Sequence, residues 1–191
     1  SMGFANPHSM HRAGRAAAAA VELAREQVAG LLPSGGRVIF TSGATEALNQ
    51  ALRSVPRGPI AYSALEHSAV VNAAIASGEQ VHELPASPAG LVDPEVPLPE
   101  GVGLVAVMQV NNEIGTIQPV DRLAQRAHEA GALFLCDAVH GAGKLAPPAE
   151  ADLIAITAHK LYGPKGIGAL WVRDGVKIGP LIAGGGQESG L

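Results

Sequence analysis

The sequence is poor in cysteine, in aromatic residues and in charge. One thiol, Cys136, serves 191 residues, which excludes an internal disulfide framework and any zinc cage built from paired thiolates. No metal site is expected, and a cytoplasmic compartment is the reading such cysteine usage favours. Charged residues make up only 16% of the chain and the net charge is −4, so nothing draws it to nucleic acid or to an anionic membrane surface. No apolar run approaches the length of a membrane span. The alanine run Ala16 to Ala20 follows Arg12 and Arg15, but Glu22, Arg25 and Glu26 interrupt it before a signal-peptide core could develop. It reads as a helix.

Apolar residues are abundant at 47%, and there are 24 glycines. That mix suits one α/β domain whose helices pack closely on a sheet and whose loops need unusual backbone angles. A helix is expected from about Ser9 to Leu32, ended by Pro33 and the Gly35-Gly36 pair. Short apolar strands then alternate with helices. Strands are expected at Arg37 to Phe40, near Pro59 to Tyr62, near Gln80 to Leu84, and at Val102 to Met108, Ala132 to Cys136, Asp152 to Ile156 and Gly168 to Val172. The intervening helices start at about Ala44, at Ser68 (to Ser77) and at Val120 (to Ala130). The proline-rich stretch Pro85 to Gly101 reads as an exposed connection with at most a short helical turn. Several strands are apolar on both faces, as in a parallel sheet covered by helices. The fold class is therefore α/β, a three-layer α/β/α arrangement around a mostly parallel sheet.

In such a sheet ligands gather at the carboxyl ends of the strands, and polar residues cluster at the ends expected here. Thr41-Ser42-Gly43-Ala44-Thr45 joins a strand to a helix, where backbone N–H groups and the hydroxyl of Ser42 or Thr45 form either a phosphate cradle or an ordinary helix cap. Asp137 follows an apolar strand, a costly place for an acid unless it meets a cation such as a pyridinium or caps the next loop. Lys160, beside His159 and after Thr157, is a candidate Schiff-base amine, and Lys165 competes with it. His67 could stack on an aromatic ligand and exchange protons, or lie on the surface. Asn111 and Asn112 could shape a turn.

Together these segments resemble the class V aminotransferase-like group of fold-type-I pyridoxal-phosphate enzymes, and within it the NifS-like cysteine desulfurases. The matching pieces run in order. They are Asn6-Pro7-His8-Ser9-Met10-His11-Arg12, Thr41 to Glu46, Glu66-His67, Val110-Asn111-Asn112-Glu113-Ile114-Gly115, Asp137, Ala158-His159-Lys160-Leu161-Tyr162-Gly163-Pro164-Lys165-Gly166 continuing to Leu170, and Gly184-Gly185-Gly186-Gln187-Glu188. The resemblance implies the large domain of that fold type, with pyridoxal 5′-phosphate as cofactor. It implies that Lys160 carries the cofactor and that Lys165 belongs to the glycine-rich turn behind it. Ala44, Thr45, Thr157 and His159 correspond to phosphate contacts. His67 corresponds to the ring-stacking histidine, Asp137 to the partner of the ring nitrogen, and Asn112 to a residue near the ring oxygen and substrate. His140 stands where the family usually has glutamine; one ring nitrogen can still donate to the phenolic oxygen, while a charged imidazole would shift the cofactor's titration toward the phenolate.

The resemblance further implies conversion of L-cysteine to L-alanine with sulfur passing to an enzyme cysteine, a homodimer, and a sulfur-accepting protein partner. A selenocysteine lyase or epimerase-like activity, or an inert scaffold that is half of a split enzyme, are the competing expectations. Cys136 is not the sulfur-accepting cysteine on this reading: it precedes Asp137 on a strand, so the two point to opposite faces. Relative to the family pattern the chain looks truncated at both ends, with Ser1-Met2 resembling a cloning scar and the small C-terminal domain absent after Leu191.

Overall fold

The computed structural model describes residues 5–54, 58–185 and 188. Of the matching pieces named above, Gly186 and Gln187 lie outside them. In chain order the elements are α1 (Arg12–Ala29), β1 (Gly36–Thr41), α2 (Ala44–Ser54), β2 (Ile60–Ser63), α3 (Ser68–Ala76), β3 (Val81–Leu84), β4 (Leu104–Met108), α4 (Val120–Glu129), β5 (Leu133–Asp137), β6 (Leu153–Thr157) and β7 (Gly168–Arg173), with a short 3₁₀ turn at Ala158–Lys160. Seven strands form one sheet in the order β1-β7-β6-β5-β4-β2-β3. The pairs β3–β2, β2–β4, β4–β5 and β5–β6 are parallel, whereas β7 is antiparallel to both β6 and β1. Only β7 therefore runs against the rest.

Two cores separate the layers. Val38, Phe134, Cys136, Ile154 and Trp171 point to the face covered by α4, with Val28 and Ala29 of α1 packed against it. Ile39, Leu104, Leu135, Leu153 and Leu170 point to the face covered by α2 and α3. Successive residues of β5 alternate between these cores, the two-residue period of a pleated strand. Every residue of β2, β4 and β6 is buried, which is why their sequences read as continuous apolar runs. From α2, Leu48 and Leu52 insert almost completely, each contributing roughly 1.5–3 kcal/mol relative to exposure.

Three local departures from the sequence expectation have physical causes. Helix α1 is shorter than Ser9 to Leu32. His11 caps it by accepting from Gly14 N through Nδ1 (3.0 Å), and past Ala29 the bonds Leu31 N to Val28 O and Leu32 N to Ala29 O tighten the last turn before Pro33. Strand β5 extends to include Asp137, because Asp137 stays in register with Met108. The proline-rich connection has no helix, but it is anchored: Val92 and Val96 are buried, Val92 N donates to Gln118 Oε1 (2.9 Å) and Gln118 Nε2 donates to Gly90 O (2.7 Å).

Candidate active site

Strands β1, β2, β4, β5 and β6 end on the same edge of the sheet, and the loops leaving all five, with residues of α2 and α3, enclose a cavity of about 500 Å³. That volume suits a small organic ligand. Ser42 to Thr45, His67, Asn112, Asp137, His140, Thr157, His159, Lys160 and Lys165 all line it. Each site residue anticipated from the sequence is thus brought to one place. So is Lys165, so position alone does not choose between the two lysines.

At the β1–α2 junction the hydroxyls sort themselves. Thr41 Oγ1 donates to Gly43 O (2.9 Å), while Ser42 N (2.8 Å) and Ser42 Oγ both donate to Glu46 Oε2. The Ser42 hydroxyl is committed to the Glu46 carboxylate. Among the described residues Thr45 Oγ1 has no hydrogen-bond partner, and the helical ladder opens only with Ala47 N on Gly43 O, leaving the N–H groups of Ala44, Thr45 and Glu46 ahead of it. Those amides and the helix dipole favour an anion. Gly168 allows the close approach beneath: a Cβ there would lie 2.7 Å from the backbone of Gly43 and from Ile156 O.

Asp137 forms the floor. It is buried to 7% exposure, and Oδ1 accepts from Val139 N (2.9 Å), whereas Oδ2 has no partner among the described residues. Burial pushes its carboxyl above the usual range; the Val139 N–H and the nearby His67 work against that. His67 is the N-cap of α3, accepting from Ala69 N through Nδ1 (3.1 Å). With Nδ1 accepting, the ring proton sits on Nε2. Asn111 and Asn112 have different tasks. Asn111 shapes the turn, accepting from Glu113 N and Ile114 N and donating to Leu65 O (3.1 Å), and only Asn112 faces the cavity.

Thr157 ends β6, with Oγ1 3.1 Å from His159 Nδ1 and 3.3 Å from Ile167 O. The 3₁₀ turn then delivers Lys160, whose carbonyl accepts from Lys144 Nζ (3.1 Å). Lys144 also donates to His140 O (3.4 Å), tying the loops after β5 and β6 together. Burial disfavours the imidazolium of His140, and the charges of Lys160, Lys144, His67 and His159 add to this. Its favoured state is neutral, so the charged imidazole considered from the sequence is not the one these surroundings support. Cys136 lies in the opposite core, fully buried; burial, with the charges of Asp137, Glu66 and Asp121, raises its thiol well above the usual range. It is a packing residue.

Sequence reasoning missed two residues. Glu66 was noticed only as the neighbour of His67, although an acid at the end of an apolar strand invites the argument applied to Asp137. Lys144 gave no local signal, because its partners are carbonyls 4 and 16 residues away.

Among known proteins, the chain is 43% identical over 204 aligned residues to a cysteine desulfurase of Cereibacter sphaeroides, covering 98% of this chain and 53% of that protein. It is 40% identical to cysteine desulfurase IscS 1 of Archaeoglobus fulgidus, with the same coverage. Of solved structures, a NifS-like protein superposes with a TM-score of 0.90 at 38% identity, over 98% of this chain and 56% of that one. SspA in complex with cysteine gives 0.89 at 35%, over 98% and 59%. The chain spans about half the length of the curated relatives it matches. With the sheet order, the helical layers and this sequence similarity in agreement, and a profile of the class-V aminotransferases matching residues 1–189, the chain belongs to the aminotransferase class-V family.

Proposed function

We propose that this chain provides the pyridoxal 5′-phosphate site of a cysteine desulfurase and that Lys160 is its cofactor-bearing lysine. The observation that carries the reading is the convergence of the α2 N-terminus, Asp137 and Lys160 on one cavity. The residues fit the group. Unclaimed N–H groups and the Thr45 hydroxyl suit a phosphate; Asp137 Oδ2 lacks a partner, and a protonated ring nitrogen would satisfy it and draw its raised pKa back down.

When bound, the cofactor supplies an electron sink that acidifies the α-proton of an amino acid. Lys160 Nζ would hold the cofactor and, as a free amine, would be the base placed to take that proton. His67, held by its Nδ1 cap, offers a ring face and Nε2–H. Neutral His140 would offer one N–H to the phenolic oxygen in place of the usual glutamine, and Asn112 would lie near the same oxygen. Thr157 and His159 complete the phosphate end. Sulfur leaving L-cysteine must meet a thiol other than Cys136, which faces the opposite core. A homodimer and a sulfur-accepting partner belong to the same reading.

Borohydride reduction of the chain mixed with pyridoxal phosphate, followed by peptide mapping, tests the assignment. A pyridoxyl group on Lys160 is expected. One found on Lys165, or none at all, rejects it. Loss of the visible band on adding L-cysteine, and not on adding L-alanine alone, would support the substrate class.

A further inference from the structure

Glu66 lies in the turn between β2 and α3, outside the cavity wall. Its Oε1 accepts from Met108 N at 2.6 Å, and Met108 is the β4 residue in register with Asp137. Two acids therefore bear on the end of β4, Glu66 through the Met108 N–H and Asp137 from the neighbouring strand. Asp137 faces the cavity. Oε2 of Glu66 is sealed from solvent and has no partner among the described residues. A carboxylate oxygen there would be an uncompensated buried charge beside a second acid, whereas an O–H leaves only one neutral donor unmet.

We propose that Glu66 is a positioning residue that sits behind the site as a neutral carboxylic acid, fixing the end of β4 and leaving Asp137 the sole negative charge at the cavity floor. The groups around it agree. Burial, then the charge of Asp137 on β5, pushes Glu66 well above the ordinary carboxylate range, against the pull of the Met108 N–H. The Cys136 thiol, on the other face of β5, is itself pushed up by both acids and supplies no positive charge. His67, the next residue, acts on Asp137 and lowers it. So the proton resides on Glu66 and the charge on the acid that faces the ligand. The consequence for the ring nitrogen rests on the cofactor reading above; the protonation pattern does not.

The test begins without cofactor. In the 191-residue chain labelled with ¹³C at the Glu and Asp carboxyls, Glu66 is assigned by through-bond correlation and followed with pH. It should stay protonated at neutral pH and ionise after Asp137. Titration of Glu66 together with the exposed glutamates, or ionisation before Asp137, overturns the proposal, and neither result depends on any variant folding. With pyridoxal phosphate bound, Glu66→Gln exchanges one neutral acceptor for another, so the pH midpoint of the visible band should hold within about 0.3 unit, while Glu66→Ala, which frees the Met108 N–H, should move it. A displacement of about one unit or more in Glu66→Gln would mean that a charge had been removed and would also overturn it. Failure of the cofactor to attach to Lys160 would instead sink the cofactor reading and leave the Glu66 titration standing.

Discussion

The cap that His67 forms on α3 and the stacking role proposed for it can be divided by substitution. As N-cap of α3 its Nδ1 accepts from Ala69 N (3.1 Å) with the extended backbone of a capping residue, φ −63° and ψ 146°. Replacing such a cap with alanine costs about 1 kcal/mol, and asparagine restores it because its side-chain oxygen can accept the same bond. For a domain of this size 1 kcal/mol corresponds to roughly 2–4 °C in Tm. Without cofactor, His67→Ala should therefore melt about 2–4 °C lower than the unchanged chain, and His67→Asn within about 1 °C of it.

Cofactor binding should sort the same variants differently. Both lose the imidazole face, and an aromatic contact is worth about 0.5–1.5 kcal/mol beyond its buried area, so both should bind pyridoxal phosphate several-fold to about tenfold more weakly. Differential scanning fluorimetry of the cofactor-free chains and absorbance titration with pyridoxal phosphate measure the two effects. If asparagine melts as low as alanine, the cap is not what His67 contributes to stability. If asparagine binds cofactor as tightly as histidine, the stacking role is wrong.

Tyr162 has φ +64° and is almost fully exposed. Because left-handed backbone costs an L-residue about 1–2 kcal/mol, Tyr162→Gly should raise Tm by a few degrees. Gly36 packs against the Trp171 ring so closely that a Cβ would lie 2.4 Å from its carbons, so Gly36→Ala should lower stability in urea by about 1–3 kcal/mol. The pH dependence of the cofactor-free chain carries the signature of its raised acids. An acid whose folded pKa lies above its unfolded value binds its proton in the folded state first, so stability is greatest below the unfolded value and falls as pH rises toward the folded one. Glu66 and Asp137 are both raised. Urea denaturation should show this decline above the ordinary carboxylate range, at up to about 1.4 kcal/mol per pH unit for each proton, and Glu66→Gln should remove its share.

The layers were legible because burial on both faces wrote itself into the strands. The β4 sequence Leu104 to Met108 is uniformly apolar and lies inside the sheet. Strand ends gathered polar residues for the same reason, since backbone leaving a buried sheet is where side chains can face a ligand. Boundaries were less legible where hydrogen bonds, and not hydrophobicity, decide them, as at His11 and at the tightened turn after Ala29. The antiparallel course of β7 has no local signal; it follows from how the short connection after Lys160 returns the chain beside β6. Lys144 escaped notice because the fold, not the local sequence, brings the Lys160 carbonyl to it.

The charges around the cavity are arranged by depth. At the rim stand Lys160 and Lys165, with Lys144 bracing the two loops that carry His140 and Lys160, and Glu46 held by Ser42; at the floor stands Asp137, with Glu66 behind it. Such a site suits a ligand with an anionic tail near the α2 N-terminus and a cationic ring nitrogen deeper in. On the proposed cofactor reading, it also accounts for a histidine at position 140, where the resemblance implies a glutamine. Cations surround that imidazole and burial opposes its charging, so it stays a neutral donor, as an amide would be. Those cations also fix the limit of the substitution. A variant that removed the Lys144 charge would relax one of the influences holding His140 neutral and would untie two loops at once, so any change in the titration of the bound cofactor there would combine electrostatics with geometry. Lys144→Arg keeps the charge but alters the reach to the two carbonyls, and comparison with Lys144→Met, which keeps the length and loses the charge, separates the two contributions.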